Sequence, residues 1–263
     1  AAAMSTDYES LLNTAAELGY QLMFSGAEIY RVEESVTRLL LAYGVAEPQV
    51  FAIPNWLIIR LTTPEGQSIT RMSRIPSHGT DIELLERCNA LCRNLCKSPV
   101  PLPQARGQVD ELRTQRRSYR PRQVLAGYFI APTFFTPLFG GGFWDGLAAG
   151  LCGLAVGWCV IFGRKLLGSN NFVRTIAASL AGALGALLLV LLGLGRDVDT
   201  ITIGVFMVLV PGIALTNAMR EIMAGDIISG LSRAAEAILT GAAIALGAAL
   251  ALALWRAGMG GIG

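Results

Sequence analysis

Histidine occurs once in this chain of 263 residues, at His78 in a Pro-Ser-His-Gly turn, where it reads as a solvated loop residue. The N-terminal region shows no Ser/His/Asp set, no metal-ligand spacing and no nucleotide loop. Charge is scarce as well. Only 15% of residues are charged and the net charge is +2, too little for a nucleic-acid binder, and no nucleic-acid motif appears. The N-terminal region is polar and amphipathic, so no cleavable signal peptide is expected. Five cysteines do not form a disulfide framework. Cys88, Cys92 and Cys96 repeat every four residues along one helical stripe; three thiolates there would suit a soft metal, but the simpler reading is small buried hydrophobes. Cys152 and Cys159 fall within an apolar run, where that reading is stronger.

What the chain does have is apolar sequence: 53% hydrophobic residues and a mean hydropathy of +0.52. The distribution is uneven. Up to Arg122 acidic and basic residues are mixed normally, and beyond it long apolar runs alternate with short polar turns. This predicts an α+β cytosolic N-terminal domain with a basic linker over residues 5–120, then a polytopic α-helical membrane domain over residues 121–257.

In the first part, Leu11, Ala15, Leu18 and Leu22, then Ile29, Val32, Val36, Leu39 and Leu40, recur at helical spacing around Ser25-Gly26. Three strands are predicted over Gln49 to Ile53, Trp56 to Leu61 and Gln67 to Met72, the last two joined by a turn at Thr62 to Gly66. A helix from about Asp81 to Lys97 carries the cysteine stripe. Pro99, Pro101 and Pro103 read as a linker, and Arg106, Arg113, Arg116, Arg117, Arg120 and Arg122 then mark the cytoplasmic side of the first span.

A bilayer-spanning helix needs roughly 20 apolar residues. Five transmembrane helices are expected, at about 123–139, 146–162, 172–194, 198–216 and 229–255. Pro132 and Pro137 should kink the first, and Gly182, Gly185, Gly241 and Gly247 suit close packing in the third and fifth. Positive residues alternate between loops so that the N-terminal domain is expected inside and the chain is expected to cross the membrane several times.

The segment from Val210 to Ala237 sets charge between two such runs. Pro211 and Gly212 should break the fourth helix, and Asn217, Arg220, Glu221 and Asp226 follow. Broken helices hold substrate near the midplane in carriers, so these residues are candidate substrate-binding or transport residues, together with Arg233, Glu236 and Asp145. The competing reading is a cytoplasmic loop that only sets topology. Glu28, Arg31 and Glu34 are candidate gating residues at a helix start able to hold an anion, although Arg31 with Glu34 and Glu34 with Arg38 also have the spacing of surface ion pairs.

The segments Ser25-Gly-Ala-Glu-Ile-Tyr-Arg-Val-Glu-Glu34, Phe139-Gly-Gly-Gly-Phe-Trp-Asp145, Pro211-Gly-Ile-Ala-Leu-Thr-Asn-Ala-Met-Arg-Glu221 and Ala224-Gly-Asp-Ile-Ile-Ser-Gly-Leu-Ser-Arg233, in this order, resemble the threonine/serine exporter family over nearly the whole chain. The family usually has Asp where this chain has Glu221. The resemblance is to the larger subunit of the split, two-subunit form, which implies a small hydrophobic membrane partner completing the transporter and an oligomer in the lipid bilayer. It implies export of threonine and serine or of dicarboxylates such as succinate; the broken fourth helix and its charges add the expectation of proton coupling, and no cofactor or metal is expected. It does not imply an enzyme. The alternatives are a membrane-tethered sensor or enzyme acting through its cytosolic domain, and a homo-oligomeric channel.

Overall fold

The computed structural model describes residues 7–76, 79–115, 119–163, 168 and 170–259. His78, Arg116, Arg117, Arg164 and Lys165 therefore lie outside the described residues. The chain divides into one unit of Ala1–Arg117 with Ile213–Ala234 and another of Ser118–Gly212 with Ala235–Gly263.

In the first unit, α1 (Tyr8–Phe24) starts where the Asp7 carboxylate accepts the Ser10 N–H at 3.1 Å, and it buries Leu11, Ala15, Leu18 and Leu22. α2 (Ile29–Ala42) buries Ile29, Val32, Val36, Leu39 and Leu40. The turn between them needs a glycine. Gly26 has φ +93°, and a Cβ there would strike the Gly79 carbonyl, because the segment 79–81 bonds back to Phe24 and Ser25 at 3.1 and 3.0 Å.

β1 (Gln49–Ile53), β2 (Trp56–Thr62) and β3 (Ser68–Arg74) form an antiparallel sheet in that order, with Val50 opposite Ile59 and Ile59 opposite Arg71. Leu57, Ile59 and Leu61 enter the core from one face; Phe51, Trp56 and Met72 on the other are exposed. α3 (Ile82–Lys97) is capped by Asp81, which accepts the Leu84 N–H at 3.0 Å. α4 (Leu102–Thr114) occupies what the three prolines suggest is a linker. Pro101 caps it and Pro103 sits in its first turn, where a missing N–H costs nothing, and Ala105, Val109 and Leu112 then bury at helical spacing.

The second unit contains α5 (Pro121–Leu138), α6 (Phe143–Phe162), α7 (Asn171–Leu191), α8 (Val198–Phe206) and most of α10 (Ile227–Met259). Among the described residues, three helices are long and apolar enough to cross a membrane: α6, α7 and Ile227–Gly258 of α10. The expected fourth span is divided. α8 ends at Phe206, whose carbonyl takes the Leu209 and Val210 N–H groups at 2.8 and 3.0 Å, and α9 (Gly212–Met223) starts after Pro211, which has no N–H to continue the ladder.

Packing in this unit depends on small residues. A Cβ at Gly146, Gly150, Gly153 or Gly157 of α6 would run into Thr133, Phe129 or Tyr128 of α5, so this stripe brings the two helices together. Gly182 and Gly185 of α7 are similarly close to Val205 and Cys152, and Gly247 is close to Ser179 and Ile176. Gly241 has open space around it.

Candidate functional site

α9 presents Asn217, Arg220 and Glu221 at positions i, i+3 and i+4, hence on neighbouring parts of one face. The chain reverses at Gly225, φ +97°, and α10 begins with the Gly230 N–H on the Asp226 carbonyl at 2.9 Å. Gly230 lets the two helices approach, since a Cβ there would meet Ile222 and the Ala218 carbonyl. Two turns into α10, Arg233 therefore returns to the level of Glu221.

These side chains converge on the α1–α2 turn. Glu221 Oε1 accepts the Ile29 N–H at 3.1 Å and lies 3.1 Å from Arg233 Nε. Arg233 Nη2 donates to the Ala27 carbonyl at 2.7 Å. Arg220 Nη1 reaches Glu28 Oε1 at 3.2 Å, Arg31 Nε reaches Glu28 Oε2 at 3.4 Å, and Asn217 Nδ2 makes a long contact of 3.5 Å with the Gly26 carbonyl. Each of residues 26–29 is thus held by α9 or α10. The helix start at Glu28 does take an anion, and the anion is the Glu221 carboxylate.

The centre of this clamp is buried. Glu221 is 0% exposed, Glu28 6% and Arg233 7%. Arg233 and the Ile29 amide face the buried carboxylate of Glu221. Its Oε2 has no hydrogen-bond partner among the described residues. Glu33 accepts the Ala52 N–H at 2.7 Å, and its carboxyl is raised by burial and by the nearby Asp226. The arrangement can hold or release a proton and can free or fix a loop.

The other singled-out residues lie elsewhere. Asp145 caps α6: Oδ2 accepts the Gly142 N–H at 2.9 Å, and Oδ1 accepts those of Arg196 and Asp197 at 2.6 and 3.2 Å. It staples two loops of the second unit with both oxygens engaged. Pro211 and Gly212 form the break before α9, and Glu236 is exposed on α10 with its carbonyl accepting the Thr240 hydroxyl at 2.9 Å. Glu34 pairs with Arg38 at 2.5 Å, whereas Arg31 takes Glu28 rather than the expected Glu34 as its ion-pair partner. Burial pushes the Cys88 and Cys92 thiols up to about 12, and no group of three or more His, Cys, Asp or Glu among the described residues is placed to hold a metal.

Sequence reasoning finds both halves of the clamp as separate motifs but misses their contact, along with the roles of Ala27, Ile29 and Glu33. One signal was available. Glu28 is complementary in sign to Arg220, although 192 residues separate them.

Residues 13–255 match the model of the threonine/serine exporter family. A protein of Mycobacterium tuberculosis named "Probable threonine/serine exporter" is 22% identical over 245 residues, 92% of this chain and 46% of that protein. "Pheromone-regulated membrane protein 10" of Debaryomyces hansenii is 24% identical over 248 residues, 87% of this chain and 23% of that protein. The chain spans less than half the length of either relative. No solved structure matches it. With a family match running from within α1 to within α10 and taking in both halves of the clamp, the chain belongs to the threonine/serine exporter family.

Proposed function

We propose that this chain is a subunit of a secondary membrane exporter for small hydrophilic amino acids, threonine and serine, or for small dicarboxylates such as succinate, and that the clamp on residues 26–29 is its gate. The observation that carries this reading is the buried Glu221–Arg233 pair on the Ala27 carbonyl and the Ile29 amide. Burying two charges costs desolvation energy that well-packed apolar residues avoid, so such a pair suits a switch better than a fixed strut.

Proton coupling supplies the cycle. A proton on Glu221 removes its attraction for Arg233 and weakens the acceptor for Ile29, which loosens the turn at residues 26–29. Loss of the proton restores the clamp. The break at Pro211 and Gly212 interrupts the helix as in carriers that hold a polar substrate, and Asn217 adds a side-chain amide. Asp145 keeps the loops after α5 and α7 in place, and Glu236 belongs to the transport path on α10.

The reading includes five spans, the three long helices together with α5 and the α8–α9 region, in a bacterial inner membrane with the N-terminal domain in the cytoplasm. It also includes a small hydrophobic membrane partner and an oligomeric assembly. The outward Ile238, Leu239, Leu246 and Leu250 of α10 support contact with lipid or with such a partner.

The test is reconstitution of the complex purified from native membranes. A small hydrophobic protein should co-purify, and vesicles carrying both should release threonine, serine or succinate under a proton gradient. Absence of flux for all three under any gradient would count against the reading.

A further inference from the structure

Away from the clamp, α2 and α3 enclose a cleft of about 580 Å³, within the size range of small-molecule sites. Its walls are cationic. Arg31 and Arg38 line it from α2 and Arg93 and Lys97 from α3, against Glu34 as the single carboxylate of the lining. Arg93 and Lys97 lie one turn apart, where like charges repel, and neither has an ion-pair partner among the described residues.

The two arginines of α2 are held loosely. Arg31 is 53% exposed in its pair with Glu28, and Arg38 is 68% exposed in its pair with Glu34, so both pairs are weak and open to exchange. The floor adds no competing anion: Cys92 Sγ donates to the Ser35 carbonyl at 3.5 Å. An ordinary solvated face would spread these cations over a convex surface; here they converge on a recess from two helices.

We propose that this cleft binds a small polyanion, a molecule carrying two or more phosphate or carboxylate groups. Cations on facing helices match separate anionic groups, and guanidinium forks bind both group types with two parallel hydrogen bonds. Such a ligand also reaches the clamp. Arg31 shares the Glu28 carboxylate with Arg220, so an anion that draws Arg31 away leaves Glu28 to Arg220 alone. That last link rests on the gate reading, whereas the binding itself does not.

The test uses the full chain in nanodiscs of zwitterionic lipid, titrated calorimetrically with pyrophosphate and with citrate. Saturable binding that weakens with added salt is expected, falling about tenfold or more in the Arg93→Gln/Lys97→Gln variant and unchanged in Arg60→Gln. A second arm replaces the lipid with an anionic one. If the natural anion is a lipid headgroup, that lipid raises the melting temperature of the wild type but not of the double variant, and it competes with pyrophosphate; without this effect, a soluble anion is the ligand. Binding that the double variant keeps overturns the proposal. So does the absence of any effect from pyrophosphate, citrate and anionic lipid together. Because neither arm measures transport, a failed flux assay leaves this proposal standing, and a failed titration leaves the gate standing.

Discussion

Glu221 and Arg233 share a buried site, so each depends on the other to offset the cost of its charge. Glu221→Gln keeps the shape but strands the Arg233 guanidinium, and a loss of about 3 to 5 kcal/mol is expected. Combining it with Arg233→Met should recover most of that loss. Denaturant unfolding of the single and double variants checks this coupling, and strictly additive losses would show that the two side chains act independently. Glu33 gives a pH signature. Its carboxyl is raised above the ordinary glutamate value of 4.5, so the folded state holds its proton more tightly than the unfolded chain does. Its contribution to stability is therefore greatest below that value and declines as pH rises through the raised one. Melting temperatures measured from acid to neutral pH should show a smaller decline for Glu33→Gln than for the wild type. At this scale the sequence marks Glu28, Arg31, Arg220, Glu221 and Arg233 as candidates from their charge alone. It cannot mark Ile29 or Ala27, which act through backbone groups that every residue has.

Helix and strand positions follow from periodicity where a core is present to enforce it. Leu11 to Leu22 and Ile29 to Leu40 bury the faces their spacing predicts, and β1 occupies its predicted residues. α4 escapes because its prolines look like breakers, yet Pro101 and Pro103 stand at the one end of a helix that tolerates them. In α6 the informative residues are glycines. Gly153→Ala would press a methyl group on the Tyr128 carbonyl and should cost about 1 to 3 kcal/mol. Gly241→Ala meets open space and should be neutral or gain up to about 1 kcal/mol from helix propensity. Thermal melts of the two variants separate packing from propensity, and equal effects would contradict the packing account. The sequence identifies Gly182, Gly185 and Gly247 as packing residues, but Gly241 looks the same to composition and differs only in its surroundings.

At the scale of the molecule, the chain leaves its first unit at Arg117 and returns to it at Ile213, so residues 213–234 complete a fold that the chain left nearly a hundred residues earlier. The hydropathy boundary near Arg122 is legible in the sequence. The return is not, because nothing local distinguishes a charged turn between two spans from one that docks on a distant loop. The contacts of Glu221 with Ile29, of Arg233 with Ala27 and of Arg220 with Glu28 reveal it. That docking is the centre of the proposed function. The measurement that tests it most directly is efflux of threonine, serine and succinate from vesicles reconstituted with the wild-type complex, with Glu221→Gln and with Arg233→Gln, alongside a check that each complex still assembles. Loss of flux in both assembled variants is the predicted result; full flux in both would contradict the gate.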